Sequence, residues 1–217
     1  MAFRSYIARK TWTILRHIGA GPLLLRVHPK SGLLRLGWFN SFRLKESVDR
    51  QSNPIPWWTY SAVSFIQERV NKQMNVLEFG CGSSTVWLCE RVKRVVSLEN
   101  CSDWIQEIGP RLPHNGEVIF YADLTEVPSL LPADALYDLV IVDNMGNRID
   151  AAMLGIHRLS DAGVLLWDNT DGPDWEQIKA IMSGRGFRDI SFTGLAAQEV
   201  GLSRTTIFYR EQNCLCI

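Results

Sequence analysis

From residue 61 onward, apolar positions alternate between helical spacing and short unbroken runs. Val63, Ile66 and Val70 recur three and four apart, which predicts a helix over 61–70. Asn75-Val76-Leu77-Glu78-Phe79 is a compact apolar run that predicts a buried strand. The same reading places helices at 83–91, around Trp104-Ile105, at 151–158 and at 175–182. Strands fall at 94–98, 118–121, 137–142 and 163–167, and two β-rich stretches, 188–193 and 205–209, close the chain. Strands alternating with helices imply βαβ units and a mainly parallel sheet. Continuous apolar strands such as 139–142 fit burial on both faces.

Upstream the pattern changes. Tyr6-Ile7, Ile14-Leu15 and Ile18 have roughly helical spacing, and Gly19, Gly21 and Pro22 end that helix. Gly32 and Gly37 predict an irregular continuation, and Asn53-Pro54-Ile55-Pro56 a break. The expected division is an N-terminal extension over 1–50 and a body over 51–217.

Charge sharpens that division. The 217 residues carry 23 Lys or Arg and 23 Asp or Glu, 46% being hydrophobic. Such a chain can bury a core, and neither disorder nor a uniformly basic nucleic-acid binder is expected. Residues 1–50 hold ten Lys or Arg against Glu46 and Asp49, so a basic arm (+8) precedes an acidic body (−8). The arm reads as a solvated face, a docking helix for a partner, or a helix lying on an anionic membrane. No apolar run approaches the ~20 residues of a membrane span. Arg16 and His17 interrupt the one stretch resembling a secretion signal, so a cytoplasmic location is expected, with membrane contact through the arm. Five cysteines without metal-site spacing read as reduced thiols. Cys214-Leu215-Cys216-Ile217 loosely matches a prenylation box but reads better as a packed tail.

In parallel sheets ligands bind beyond the carboxyl ends of the strands, so the residues there carry the chemistry. The first strand runs into Gly80-Cys81-Gly82-Ser83-Ser84, where two glycines allow a sharp turn and Ser83 or Ser84 can cap a helix. Glu99 lies 21 residues past Glu78, placed to accept from a ribose diol. Position 85 is Thr, so the third glycine of a dinucleotide fingerprint is missing, and a ribose ligand without a diphosphate is favoured. Asp123 at the third strand end could accept from an exocyclic amine. Asp143 and Asp168-Asn169 end the fourth and fifth strands.

These residues resemble class I S-adenosylmethionine-dependent methyltransferases. Residues 76–83 look like that family's first motif, Glu99 its ribose-binding acid and Asp123 its adenine-contacting acid. The resemblance spans about 55–210 and implies a Rossmann-like α/β fold with a seven-stranded, mainly parallel sheet. The implied S-adenosylmethionine-binding set is Glu78, Gly80, Cys81, Gly82, Ser83, Ser84, Glu99, Asn100, Asp123 and Leu124. Trp58 or Tyr60 would face the sulfonium by cation–π attraction, or else pack in the core. The implied activity is methyl transfer to a small-molecule or glycan acceptor at oxygen, with Asp143 as the catalytic residue. Asp143, Asp168 and Asn169 also look similar to the magnesium-binding strand ends of catechol O-methyltransferase-like enzymes, which implies either a Mg²⁺ site or a metal-free role for Asp143. The lysine base of that family is replaced by Gly146, with Arg148 the nearest basic residue. A nicotinamide-dependent oxidoreductase and a non-catalytic Rossmann-like binding protein are the competing readings.

Overall fold

A computed structural model describes residues 13–15, 17–20, 22 and 24–217. Of the helix expected near Tyr6–Ile18, residues 13–15 and 17 are helical, and Tyr6 and Ile7 lie outside the described residues.

The irregular continuation expected from Gly32 and Gly37 is corrected. Three short helices stand there: α1 (Leu24–Val27), α2 (Gly32–Leu36) and α3 (Trp38–Leu44). The glycines mark helix boundaries instead of breaking them. Gly37 has φ +85 and closes α2 while opening α3. A side chain there would collide with the backbone of Val48 and Asp49, so the junction sits hard against the next loop. That loop is a small turn: Val48 bridges Pro54, and Asp49 Oδ1 accepts from the N–H groups of Gln51 (2.8 Å) and Asn53 (2.9 Å).

The body follows the predicted alternation. In order come α4 (Tyr60–Gln67), β1 (Asn75–Phe79), α5 (Ser83–Cys89), β2 (Arg94–Glu99), α6 (Ser102–Ile108) and β3 (Gly116–Phe120). They are followed by α7 (Val127–Leu130), β4 (Tyr137–Val142), α8 (Arg148–Ile156), β5 (Leu159–Trp167), α9 (Trp175–Gly184), β6 (Arg188–Gly194) and β7 (Ser203–Tyr209). The seven strands form one sheet in the order β3-β2-β1-β4-β5-β7-β6. The first five are parallel, and β7 enters antiparallel between β5 and β6. This is the Rossmann-like α/β arrangement, with the order reversing beside β1.

The period-2 alternation within each strand splits the core in two. Val76, Leu139, Ile141, Val164 and Leu166 face α4 and α5, with Trp58, Ile66, Trp87 and Leu88. Leu77, Phe79, Val140, Val142 and Leu165 face α8 and α9, with Ala151, Ala152, Ile178 and Met182. Both faces of the central strands are dry, which is why their sequences are apolar without interruption. The carboxyl-terminal tail packs on this body: Cys214 N–H donates to Ala162 O (2.8 Å), and Leu215 is buried. All five cysteines are free thiols.

Candidate functional site

The carboxyl ends of β1, β2, β4 and β5 open into a cleft of about 720 Å³. Its floor is the turn after β1. Gly80 has φ +95, and a Cβ there would stand 2.7 Å from the Asp143 carbonyl oxygen. Only glycine lets β1 turn while touching the end of β4.

Glu78 holds this turn from behind. Its buried carboxylate accepts from Ser84 Oγ (2.5 Å), Thr85 Oγ1 (2.6 Å) and Ser97 Oγ (2.8 Å). Burial pushes its pKa up to about 7, against the lowering effect of the three hydroxyls. The capping expected of Ser83 or Ser84 is corrected. Ser84 donates to Glu78, and Thr85 Oγ1 accepts the Gly82 N–H (2.9 Å), so Thr85 ties the loop at the position of a dinucleotide fingerprint's third glycine. Glu99, at the end of β2, accepts from Cys81 N–H through one oxygen (3.0 Å). Through the other it accepts from the N–H groups of Asn100 and Cys101 (2.8 Å each). A carboxylate has about four acceptor positions, so one remains for a ligand hydroxyl. The indole of Trp104 donates to Cys81 O and lies along Gly82, covering the loop from the solvent side.

On the other wall stand the ends of β4 and β5. Asp143 sits at the cleft surface beside Arg148, and burial raises its pKa to about 6. Arg148 pulls that value down, as does the buried indole N–H of Trp58. Burial, and then Asp143, push the pKa of Asp168 well above its ordinary value, while its Oδ1 accepts from Thr205 Oγ1 (2.5 Å).

The Mg²⁺ reading of Asp143, Asp168 and Asn169 is not supported. The Arg148 guanidinium lies among these residues. It donates to Asp168 O (2.7 Å), Asn169 Oδ1 (3.2 Å) and, at 3.4 Å, Asp143 Oδ1, while its Nε donates to Asn144 O (2.8 Å). Asp168 offers this cation its backbone carbonyl, its carboxylate being turned to Thr205. The residues present do not fit a divalent ion, because a fixed organic cation already uses their oxygens. Among the described residues no group of His, Cys, Asp and Glu is arranged to hold a metal.

The sequence-predicted set is partly gathered. Gly80, Cys81, Gly82, Ser83, Ser84, Glu99, Asp143, Asp168 and Asn169 line one cleft, with Glu78 directly behind. Asp123 does not line it. It is exposed and caps the turn after β3, accepting from Thr125 N–H (2.8 Å), and Leu124 beside it packs against the core. Asn100 reaches the site only through its backbone. Trp58 is fully buried, edge-on to Trp87, and Tyr60 is buried with its hydroxyl toward Ser41. The ring that does line the cleft is Trp57. The two rings leave a bend in opposite directions, Trp58 into the core and Trp57 into the cleft. The reading from sequence also missed Trp104 and a far wall made of Lys45, Glu46 and Ser47 with Gln198 and Glu199. Nothing local in these residues announces a site. They meet because Trp38 Nε1 donates to Glu199 O (2.7 Å), across 161 positions.

No family model matches the chain, and no curated protein matches it. Solved structures do. The O-methyltransferase TomG of Streptomyces achromogenes, solved with S-adenosylmethionine bound, is similar over 87% of this chain and 93% of that one, at 16% identity and TM-score 0.58. An rRNA methylase from Streptococcus thermophilus is similar over 70% and 95% (15% identity, TM-score 0.54). The N-methyltransferase NodS of Bradyrhizobium japonicum is similar over 68% and 92% (15% identity, TM-score 0.50). These neighbours differ in what their names say they methylate, and what they share with this chain is the architecture. The chain has the Rossmann-like fold of class I S-adenosylmethionine-dependent methyltransferases.

Proposed function

We propose that the protein is an S-adenosylmethionine-dependent methyltransferase acting on an oxygen of a small-molecule or glycan acceptor. The observation that carries this reading is the convergence of the Gly80–Ser83 turn, Glu99 and Asp143 on one cleft at the sheet's carboxyl edge. The cleft suits a cationic ligand. Glu46, Glu99, Glu107, Asp143 and Glu199 line it, against Lys45 and Arg148.

When bound, the cofactor supplies an electrophilic methyl carbon on a positively charged sulfur. The chain's own residues do the rest by placement. The turn at Gly80 would bring backbone against the ligand, and Glu99 would accept from one ribose hydroxyl. Trp57 and residues 45–47 form the wall against which an acceptor lies. Asp143 would take the acceptor's hydroxyl proton. With a pKa of about 6 it is mostly ionised at neutral pH yet basic enough to be useful. A guanidinium is a poor proton acceptor, and Arg148 pairs with the Asp143 carboxylate instead.

Titration calorimetry tests the reading. The protein should bind S-adenosylmethionine and not NAD, and Glu99→Ala should weaken that binding at least about tenfold, the loss of a charge-assisted hydrogen bond. Binding of NAD in its place, or an unchanged affinity in the variant, would refute the assignment.

A further inference from the structure

We infer that the α2–α3 arm is an interface for an anionic lipid surface. No Asp or Glu occurs before Glu46, whereas residues 1–45 contain nine Lys or Arg. The structure shows how the last part of this stretch is used. One side of α2–α3 is anchored on the body. Trp38 holds the Glu199 carbonyl, and Glu46, just beyond α3, pairs with Arg111. What remains outward is Leu36, Phe42 and Leu44, each about 40% exposed, together with exposed Arg35 and Arg43. Leu25, Arg26 and Lys30, just upstream, are exposed as well.

An arm held firmly on one side and both apolar and purely cationic on the other has the composition of an interfacial segment. Large aliphatic side chains gain nothing from a polynucleotide backbone, whereas they enter the acyl boundary of a bilayer, so lipid is the occupant that uses both features. Each basic residue beside an anionic leaflet multiplies partitioning about fivefold. The placement also bears on the cleft. α3 runs directly into Lys45, Glu46 and Ser47 of the far wall, beside which Trp57 and Met145 stand exposed. A docked arm would turn the cleft mouth toward acceptors carried at the membrane. This last consequence rests on the methyl-transfer reading; lipid contact itself does not.

The test is sedimentation of the full chain with vesicles of phosphatidylcholine alone, or of phosphatidylcholine mixed with phosphatidylglycerol, with an RNA oligonucleotide as competitor. The expected result is binding to the anionic vesicles only, weakened by salt and unaffected by RNA. Arg35→Glu with Arg43→Glu should lower partitioning at least about tenfold, and Phe42→Ser should lower it separately, both with an unchanged thermal melt. The inference fails if neither vesicle binds, if neutral and anionic vesicles bind alike, if RNA displaces the protein, or if folded charge-reversal protein still binds like wild type. A charge-reversal variant that melts early is replaced by Phe42→Ser, and wild-type-like binding by that folded variant overturns the inference too. Because no cofactor is needed, these outcomes are independent of the calorimetry that tests methyl transfer.

Discussion

Two side chains show how burial changes what a charged residue does. Glu78 occupies a position that would place it on the ligand, yet its oxygens are taken by Ser84, Thr85 and Ser97. It is a positioning residue that locks the glycine turn. Its pKa of about 7, against an ordinary 4.5, means that the folded protein keeps a proton that the unfolded chain releases between those values. Its contribution to stability is therefore full below pH 4.5 and is lost as pH rises through about 7, on the order of 3 kcal/mol. Urea unfolding across that range should show wild type losing stability relative to Glu78→Gln; parallel pH curves would place the proton elsewhere. Arg148 is the second case. With its guanidinium among the oxygens of Asp143, Asp168 and Asn169, wild type should leave the electron paramagnetic resonance signal of free Mn²⁺ undiminished at micromolar protein. Arg148→Met should begin to bind the ion. Tight Mn²⁺ binding by wild type would mean that the guanidinium yields its place.

At the scale of elements, the turn after β1 is the most constrained piece of backbone in the site. Gly80→Ala would place a methyl 2.7 Å from the Asp143 carbonyl in a left-handed conformation. We expect a loss of about 1–3 kcal/mol of stability and of S-adenosylmethionine affinity, read by urea unfolding and calorimetry. A variant that keeps both would show that β1 and β4 can move apart. The strands were the most legible elements: 75–79 and 137–142 match the structure residue for residue. They are dry on both faces, so their composition alone marks them. Helices and edges were less so. β5 begins at Leu159, four residues before the run that announced it, because its first residues are half solvated and the apolar signal is absent there. The short α2 and α3 were invisible because both glycines, read as breakers, serve as boundaries.

Over the whole molecule, the cleft is a product of distance. β7 inserts antiparallel between β5 and β6, and the loop before it carries Gln198 and Glu199 to Lys45–Ser47. Only that closure gives the cleft a second wall, and only the closed molecule has an arm whose outward face can meet a lipid surface. The amino-acid pattern by itself determined the alternation of strands and helices, a mainly parallel α/β sheet, and the acids and glycines at the strand ends. Those depend on local periodicity and on turn chemistry, which are written within a few residues. The tertiary structure alone decided that Trp57 and not Trp58 faces the cleft, that Asp123 stays in solvent, and that Arg148 takes the cation's place. Each of these is set by which way a side chain turns once distant segments pack, and no spacing along the chain encodes that direction.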